Sequence, residues 1–175
     1  SVLVEDAGDG PTIVSPARLA GRLNRQFPMD RTRQHFTLVY GAFDGASGRF
    51  RYVVAGHPAP ILVPAAGPPV PLAGRGLPIG MFEESIYQEE TVTLEPGDRL
   101  YFYTDGVIEA TDAAQVELGS ARLMAELDRV RVLPLKSGLE AVAETVCDWS
   151  GGGLEDDVSL LAIERVVARS GVAVA

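Results

Sequence analysis

The chain has 175 residues, 15 Lys and Arg against 24 Asp and Glu, a net charge of −9 and a 46% hydrophobic composition. That length fits one domain able to bury roughly 70% of its unfolded surface, and the composition excludes wholesale disorder. No apolar run reaches the ~18 residues of a membrane span, and scattered basic residues with a single lysine, Lys136, argue against a nucleic-acid groove. The lone Cys147 can form neither an internal disulfide nor a zinc site by itself. No basic segment followed by an apolar stretch marks a signal peptide, so the expected compartment is the reducing cytoplasm.

In chain order, residues 1–14 are rich in glycine and acidic side chains and read as a loose leader. Ser15-Pro16 then reads as a helix start, Ser as cap and Pro at the first helical position. Leu19, Leu23 and Phe27 give that helix one apolar stripe, which Pro28 ends. His35 to Phe43 and Arg49 to Val54 are rich in β-branched and aromatic residues, and the turn 44–48 between them predicts an antiparallel hairpin. Ile61 to Val63 reads as a short third strand. Residues 64–80 are dense in proline and glycine and are expected to be irregular and exposed, and the same holds through Glu84.

Tyr87 to Leu94 alternates like a half-exposed strand. The turn Glu95-Pro96-Gly97-Asp98 leads into the apolar strand Arg99 to Tyr103. Two helices follow, Gly119 to Val130 and Ser137 to Trp149. The second carries a Ser137-x-x-Glu140 capping box and the stripe Leu139, Val142, Val146, Trp149. Gly151 to Gly153 stops it, and Val158 to Val167 is the last strand. The order predicts an α+β domain over 15–167, helices packed on antiparallel sheet, with 168–175 as a tail.

Two acidic sites stand out by position. Asp105 directly follows the apolar strand and precedes Gly106, whose missing side chain lets the backbone turn sharply. Asp156 and Asp157 enter the last strand, whose start can lie beside another strand's end. Carboxylates brought together repel unless protonated or bridged by a cation, and oxygen-only donors favour Mg²⁺ or Mn²⁺. Taken alone, an Asp-Gly pair is most often a turn and Asp-Asp before a strand a solvated cap. Asp44-Gly45 and Gly97-Asp98 take the turn reading, and both histidines the structural one, although His57, between glycine and proline in a loop, could serve as acid or base. Trp149 reads as core.

The ordered set Phe36 to Tyr40, Ala55-Gly56-His57-Pro58, Leu77-Pro78-Ile79-Gly80, Leu94 to Asp98, Tyr103 to Ala110 and Glu155 to Leu160 resembles the bacterial SpoIIE/RsbU-type serine/threonine phosphatases. These belong to the metal-dependent protein phosphatase 2C-like superfamily. The resemblance covers about residues 15–167 and implies a two-sheet β-sandwich flanked by helices. It implies two Mn²⁺ or Mg²⁺ ions, ligated by Asp105 and Asp156 with Asp157 as the neighbouring position, and hydrolysis of phosphoserine or phosphothreonine. It further implies a phosphoprotein substrate such as an anti-sigma factor antagonist, and a sensor or receiver module upstream. The family's earlier motif, a Gly-Asp followed by Gly-His-Gly, has no counterpart here; Gly8-Asp9-Gly10 is a poor substitute. The expectation is therefore a domain begun part-way, inactive alone and prone to pair with a second copy through uncovered strand edges. The alternative is a phosphatase-like module that has lost catalysis and binds a partner protein as an adaptor.

Overall fold

A computed structural model describes residues 3–6, 11–154 and 156–166. The Gly8-Asp9-Gly10 segment, Glu155 and the tail 168–175 lie outside the described residues. The leader is not all loop: β1 (Val4–Asp6) pairs antiparallel with β2 (Pro11–Ile13). Helix α1 (Pro16–Gln26) begins as expected with Pro16 in its first turn, but Ser15 makes no side-chain cap bond. Its carbonyl instead accepts from the Leu19 amide at 2.9 Å. A short helix α2 (Met29–Thr32) follows Pro28, unforeseen because four residues carry no periodicity.

The predicted hairpin is present as β3 (Leu38–Asp44) and β4 (Arg49–Ala55), in register from Leu38 opposite Ala55 to Asp44 opposite Arg49. The Asp44 carboxylate builds the turn, accepting from the Ala46 amide at 3.0 Å and the Ser47 hydroxyl at 2.6 Å. β3 starts later than expected, since Phe36 forms only an isolated bridge to Ile79. Then come β5 (Ile61–Val63), the two-residue β6 (Val70–Pro71), β7 (Glu90–Thr93) and β8 (Arg99–Tyr103). Residues 64–84 are otherwise irregular and mostly exposed, as their prolines and glycines predict, with Ile79 and Gly80 buried.

After β8 the chain makes one helical turn, α3 (Asp105–Ile108), and then α4 (Gly119–Val130) and α5 (Leu135–Trp149). The capping box fails. α5 starts two residues before Ser137, with Pro134 at the cap and no side-chain cap bond, and Glu140 faces Lys136 at 3.8 Å instead. Trp149 is half-buried rather than core: the Arg122 guanidinium lies 4.6 Å over its ring. The last strand, β9 (Leu160–Glu164), is shorter than its apolar run.

Besides the β1–β2 pair, the described residues form two larger antiparallel sheets, ordered β3-β4-β7 and β6-β5-β8-β9. Strand alternation sorts their side chains into three apolar layers. Val53 and Ala55 of β4 pack with Ala20 of α1 and Ile79. The opposite face of β4, with Phe50, Tyr52 and Val54, meets Leu100 and Phe102 of β8 between the sheets. Tyr101 and Tyr103 of β8 face Leu127, Val130, Val142 and Val146 of α4 and α5. The result is the predicted β-sandwich flanked by helices, with β3 and β9 at sheet edges.

Candidate active site

The antiparallel β8–β9 ladder ends with Tyr103 opposite Leu160. One residue further, the Thr104 amide donates to the Ser159 carbonyl at 3.2 Å. Antiparallel pairing therefore sets the residues just after β8 beside those just before β9. Two more bonds tighten this junction. The Thr104 hydroxyl donates to the Asp157 carbonyl at 2.8 Å and accepts from the Ser159 amide at 2.9 Å. Asp105 and Asp156, 51 positions apart in sequence, thus sit on abutting segments of one sheet, not across the sandwich.

Gly106 makes the close approach possible, by its size more than by a sharp turn. Its backbone is helical, within α3, and a Cβ there would fall 2.8 Å from the Asp157 carbonyl oxygen and 3.4 Å from the Asp156 Cβ. The Asp105 carboxylate accepts from the Gly106 amide at 3.2 Å, and that of Asp156 from the Asp157 amide at 2.7 Å. Each carboxylate is tied on one side by its own backbone, while the residue stays exposed.

A cavity of about 270 Å³ lies here, lined by Gly106, Glu109, Ala110, Thr111 and Asp156. Glu109 was not singled out in the sequence, though it stands four residues after Asp105. In a helical turn that spacing returns a side chain to the same face, which is the signal that could have found it. Asp157 contributes its carbonyl to the junction. By contrast, Asp98 is structural: nearly buried, it accepts from the Ala65 and Glu95 amides, both at 2.7 Å.

The donors brought together are carboxylate oxygens, the kind that suits Mg²⁺ or Mn²⁺. Their number is small, however: among the described residues no three His, Cys, Asp or Glu side chains are grouped to hold a metal ion.

The sequence model described as "Stage II sporulation protein E (SpoIIE)" matches residues 6–166. The chain belongs to the SpoIIE family. Among curated proteins it is 34% identical over 103 residues to "Phosphoserine phosphatase RsbP" of Bacillus subtilis, covering 56% of this chain and 26% of that protein. It is 27% identical over 130 residues to "Protein IcfG" of Synechocystis sp., covering 74% and 20%. The chain thus spans about a fifth to a quarter of these relatives.

Among solved structures, the RsbU and RsbW domains of a Mycobacterium tuberculosis protein superpose with a TM-score of 0.73 at 26% identity, over 87% of this chain and 42% of that one. The SiaA-PP2C domain of Pseudomonas aeruginosa gives 0.75 at 20% identity, over 86% and 61%. The fold of this SpoIIE-family chain is therefore that of the protein phosphatase 2C-like domains. No helix among the described residues is long and apolar enough to cross a membrane.

Proposed function

We propose that this chain is part of a metal-dependent protein serine/threonine phosphatase that hydrolyses phosphoserine on a bacterial regulatory protein. One observation carries the reading: the β8–β9 junction sets the segment of Asp105 beside that of Asp156, and Asp156 and Glu109 line one cavity there. Asp105 and Asp156 would hold a divalent cation, Mn²⁺ or Mg²⁺, two ions being expected in the complete domain. Bound there, a cation supplies positive charge against that growing on the phosphate oxygens. The Thr104 bonds and the bare Gly106 keep the two segments in place, so that the carboxylates need not reorganise when a phosphoester arrives.

The number of carboxylates leads us to expect little hydrolysis from the 175 residues alone, a further ligand coming from the rest of the protein. The relatives also support a substrate class. RsbP is named a phosphoserine phosphatase, and the mycobacterial structure joins an RsbU domain to an RsbW domain. An anti-sigma factor antagonist is the phosphoprotein we infer, in a cytoplasmic partner-switching pathway governed by a sensor or receiver module elsewhere in the full-length chain.

The scarcity of grouped ligands among the described residues favours a second reading, an adaptor that binds a partner protein without catalysis. Phosphoserine-peptide hydrolysis by the full-length protein with Mn²⁺ separates the two. A phosphatase turns over and loses at least ~100-fold in Asp105→Asn and Asp156→Asn. Full-length protein with no Mn²⁺-dependent turnover leaves the adaptor.

A further inference from the structure

Helices α4 and α5 enclose a second cavity, of about 340 Å³, that shares no residue with the acidic one. The helices are in contact at their loop end, where a Cβ on Gly138 would lie 3.5 Å from the Val130 carbonyl oxygen. From there toward Leu118 and Trp149 the facing side chains include the short Ala125, Val142 and Thr145, which leaves the cavity between the two axes. Its volume falls in the ~300–1,000 Å³ range of small-molecule sites, whose walls are mostly apolar with a few placed polar groups. Ten residues line it, against the roughly 20–30 that each partner brings to a stable protein interface, so its size suits a small molecule better than a protein.

The charged groups on its wall leave one cation over. Arg129 grips Glu126 side-on, Nε to one carboxylate oxygen at 2.8 Å and Nη2 to the other at 2.5 Å. The Thr145 hydroxyl donates to Glu126 as well, at 3.0 Å. Arg122 has no carboxylate partner among the described residues. Its Nη1 donates to the Glu117 and Leu118 carbonyls at 3.2 and 3.3 Å, and its guanidinium lies over the Trp149 ring. That ring is fixed in turn, its Nε1 donating to the Val116 carbonyl at 3.0 Å. The Nε–Nη2 edge of Arg122, the same edge by which Arg129 holds Glu126, is thus oriented at an apolar cavity and unpaired among the described residues.

We propose that the α4–α5 cavity is a binding site for a small apolar carboxylate, in chemical class a medium-chain fatty acid. The alkyl tail lies along Leu123, Ala125, Val142 and Val146, and the head accepts both hydrogens of the Arg122 Nε–Nη2 edge. An aliphatic floor fits an alkyl tail, and a single guanidinium fork matches a singly charged carboxylate in both geometry and charge. The lining positions run from Leu118 to Arg129, three turns or ~16 Å along α4, which gives an extended tail its length. The site stands apart from the acidic cavity and does not rest on the phosphatase reading.

Trp149, the one tryptophan of the 175 residues, reports on the cavity directly. Full-length protein is labelled with 5-fluorotryptophan, its Trp149 resonance being the one that Trp149→Phe removes. Octanoate should shift that resonance saturably, with a dissociation constant of about 0.1–1 mM, in keeping with ten non-hydrogen atoms. The uncharged 1-octanol should bind at least ~5-fold more weakly, and the exposed-site variant Arg122→Gln should lower octanoate binding to the level of octanol. Ala125→Leu fills the cavity with a good helix former, so it should keep the wild-type melting temperature and lose both shifts. Equal affinity for the two probes, octanoate binding unchanged in Arg122→Gln, or a shift retained in Ala125→Leu overturns the assignment. No saturable shift with either probe also overturns it and leaves a protein segment as the occupant. A resonance that moves with protein concentration alone overturns it in favour of a second copy.

Discussion

Gly106→Ala tests the central claim that the residues after β8 and before β9 form one site. The added methyl would lie 2.8 Å from the Asp157 carbonyl oxygen and 3.2 Å from its carbon, both backbone atoms that cannot swing aside. Reaching an ordinary contact of ~3.4 Å requires a shift of about 0.6 Å, and overpacking of this kind costs about 1–3 kcal/mol. Because Gly106 is helical, Ala returns up to ~1 kcal/mol of helix propensity. The net change in stability is therefore a loss of at most about 3 kcal/mol, small enough for the fold to survive. The effect on a metal is larger in proportion, since ligand distances tolerate only about ±0.2 Å. Urea unfolding and Mn²⁺ titration by calorimetry, both on full-length protein, should show a modestly lowered midpoint with metal affinity down tenfold or more. Unchanged Mn²⁺ affinity with unchanged stability would mean that Asp157 is not seated on Gly106, and the juxtaposition would fall.

Three other substitutions probe the frame around the site. Asn24→Ala removes a buried hub that donates to the Phe82 and Glu83 carbonyls and accepts from the Gly80 amide and Tyr87 hydroxyl, so urea unfolding should show a loss of at least ~2 kcal/mol; a loss under ~1 kcal/mol would refute the hub. Thr104→Val leaves the Asp157 carbonyl and Ser159 amide without their shared hydroxyl, an expected ~1–2 kcal/mol by the same assay together with weaker Mn²⁺ binding; unaltered binding would assign Thr104 to folding alone. In Glu126, hydrogen bonding from Arg129 holds the carboxyl below its ordinary 4.5, so its stabilisation is full above that pH and fades as pH falls through the depressed folded value. The melting-temperature gap between wild type and Glu126→Gln should be open at pH 7 and close in acid, and a gap that widens in acid would reverse the assigned sign.

Much of the fold is legible where one residue pattern decides one element. Arg99 to Tyr103 is apolar with turn residues before it, and the strand has those bounds. Gly119 to Val130 puts Leu123, Leu127 and Val130 on one side, and all three are buried. Legibility fails where short-range chemistry competes. Ser137 and Glu140 have the spacing of a capping box, but Pro134 is better placed to open α5, because its ring suits a helix start and Leu135 already continues the helical turn. Tyr87 alternates in step with β7 yet lies outside it, its ring drawn into the α1-facing core and its hydroxyl to Asn24. Such tertiary partners leave no local trace in the sequence.

The candidate site divides the same way. Asp105 and Asp156 are legible because each abuts an apolar strand, and strand ends are where a sheet can expose a charged group beside a buried core. What the sequence leaves open is which ends meet. The two acidic segments share an end because β8 and β9 are antiparallel neighbours, which sets one strand's exit beside the other's entrance whatever the 50 residues between Asp105 and Asp156 do. Glu109 joins Asp156 on one cavity through the single helical turn that follows Asp105. Reading such a site therefore takes two scales in succession: the strand end marks the carboxylate, and the ladder finds its partner.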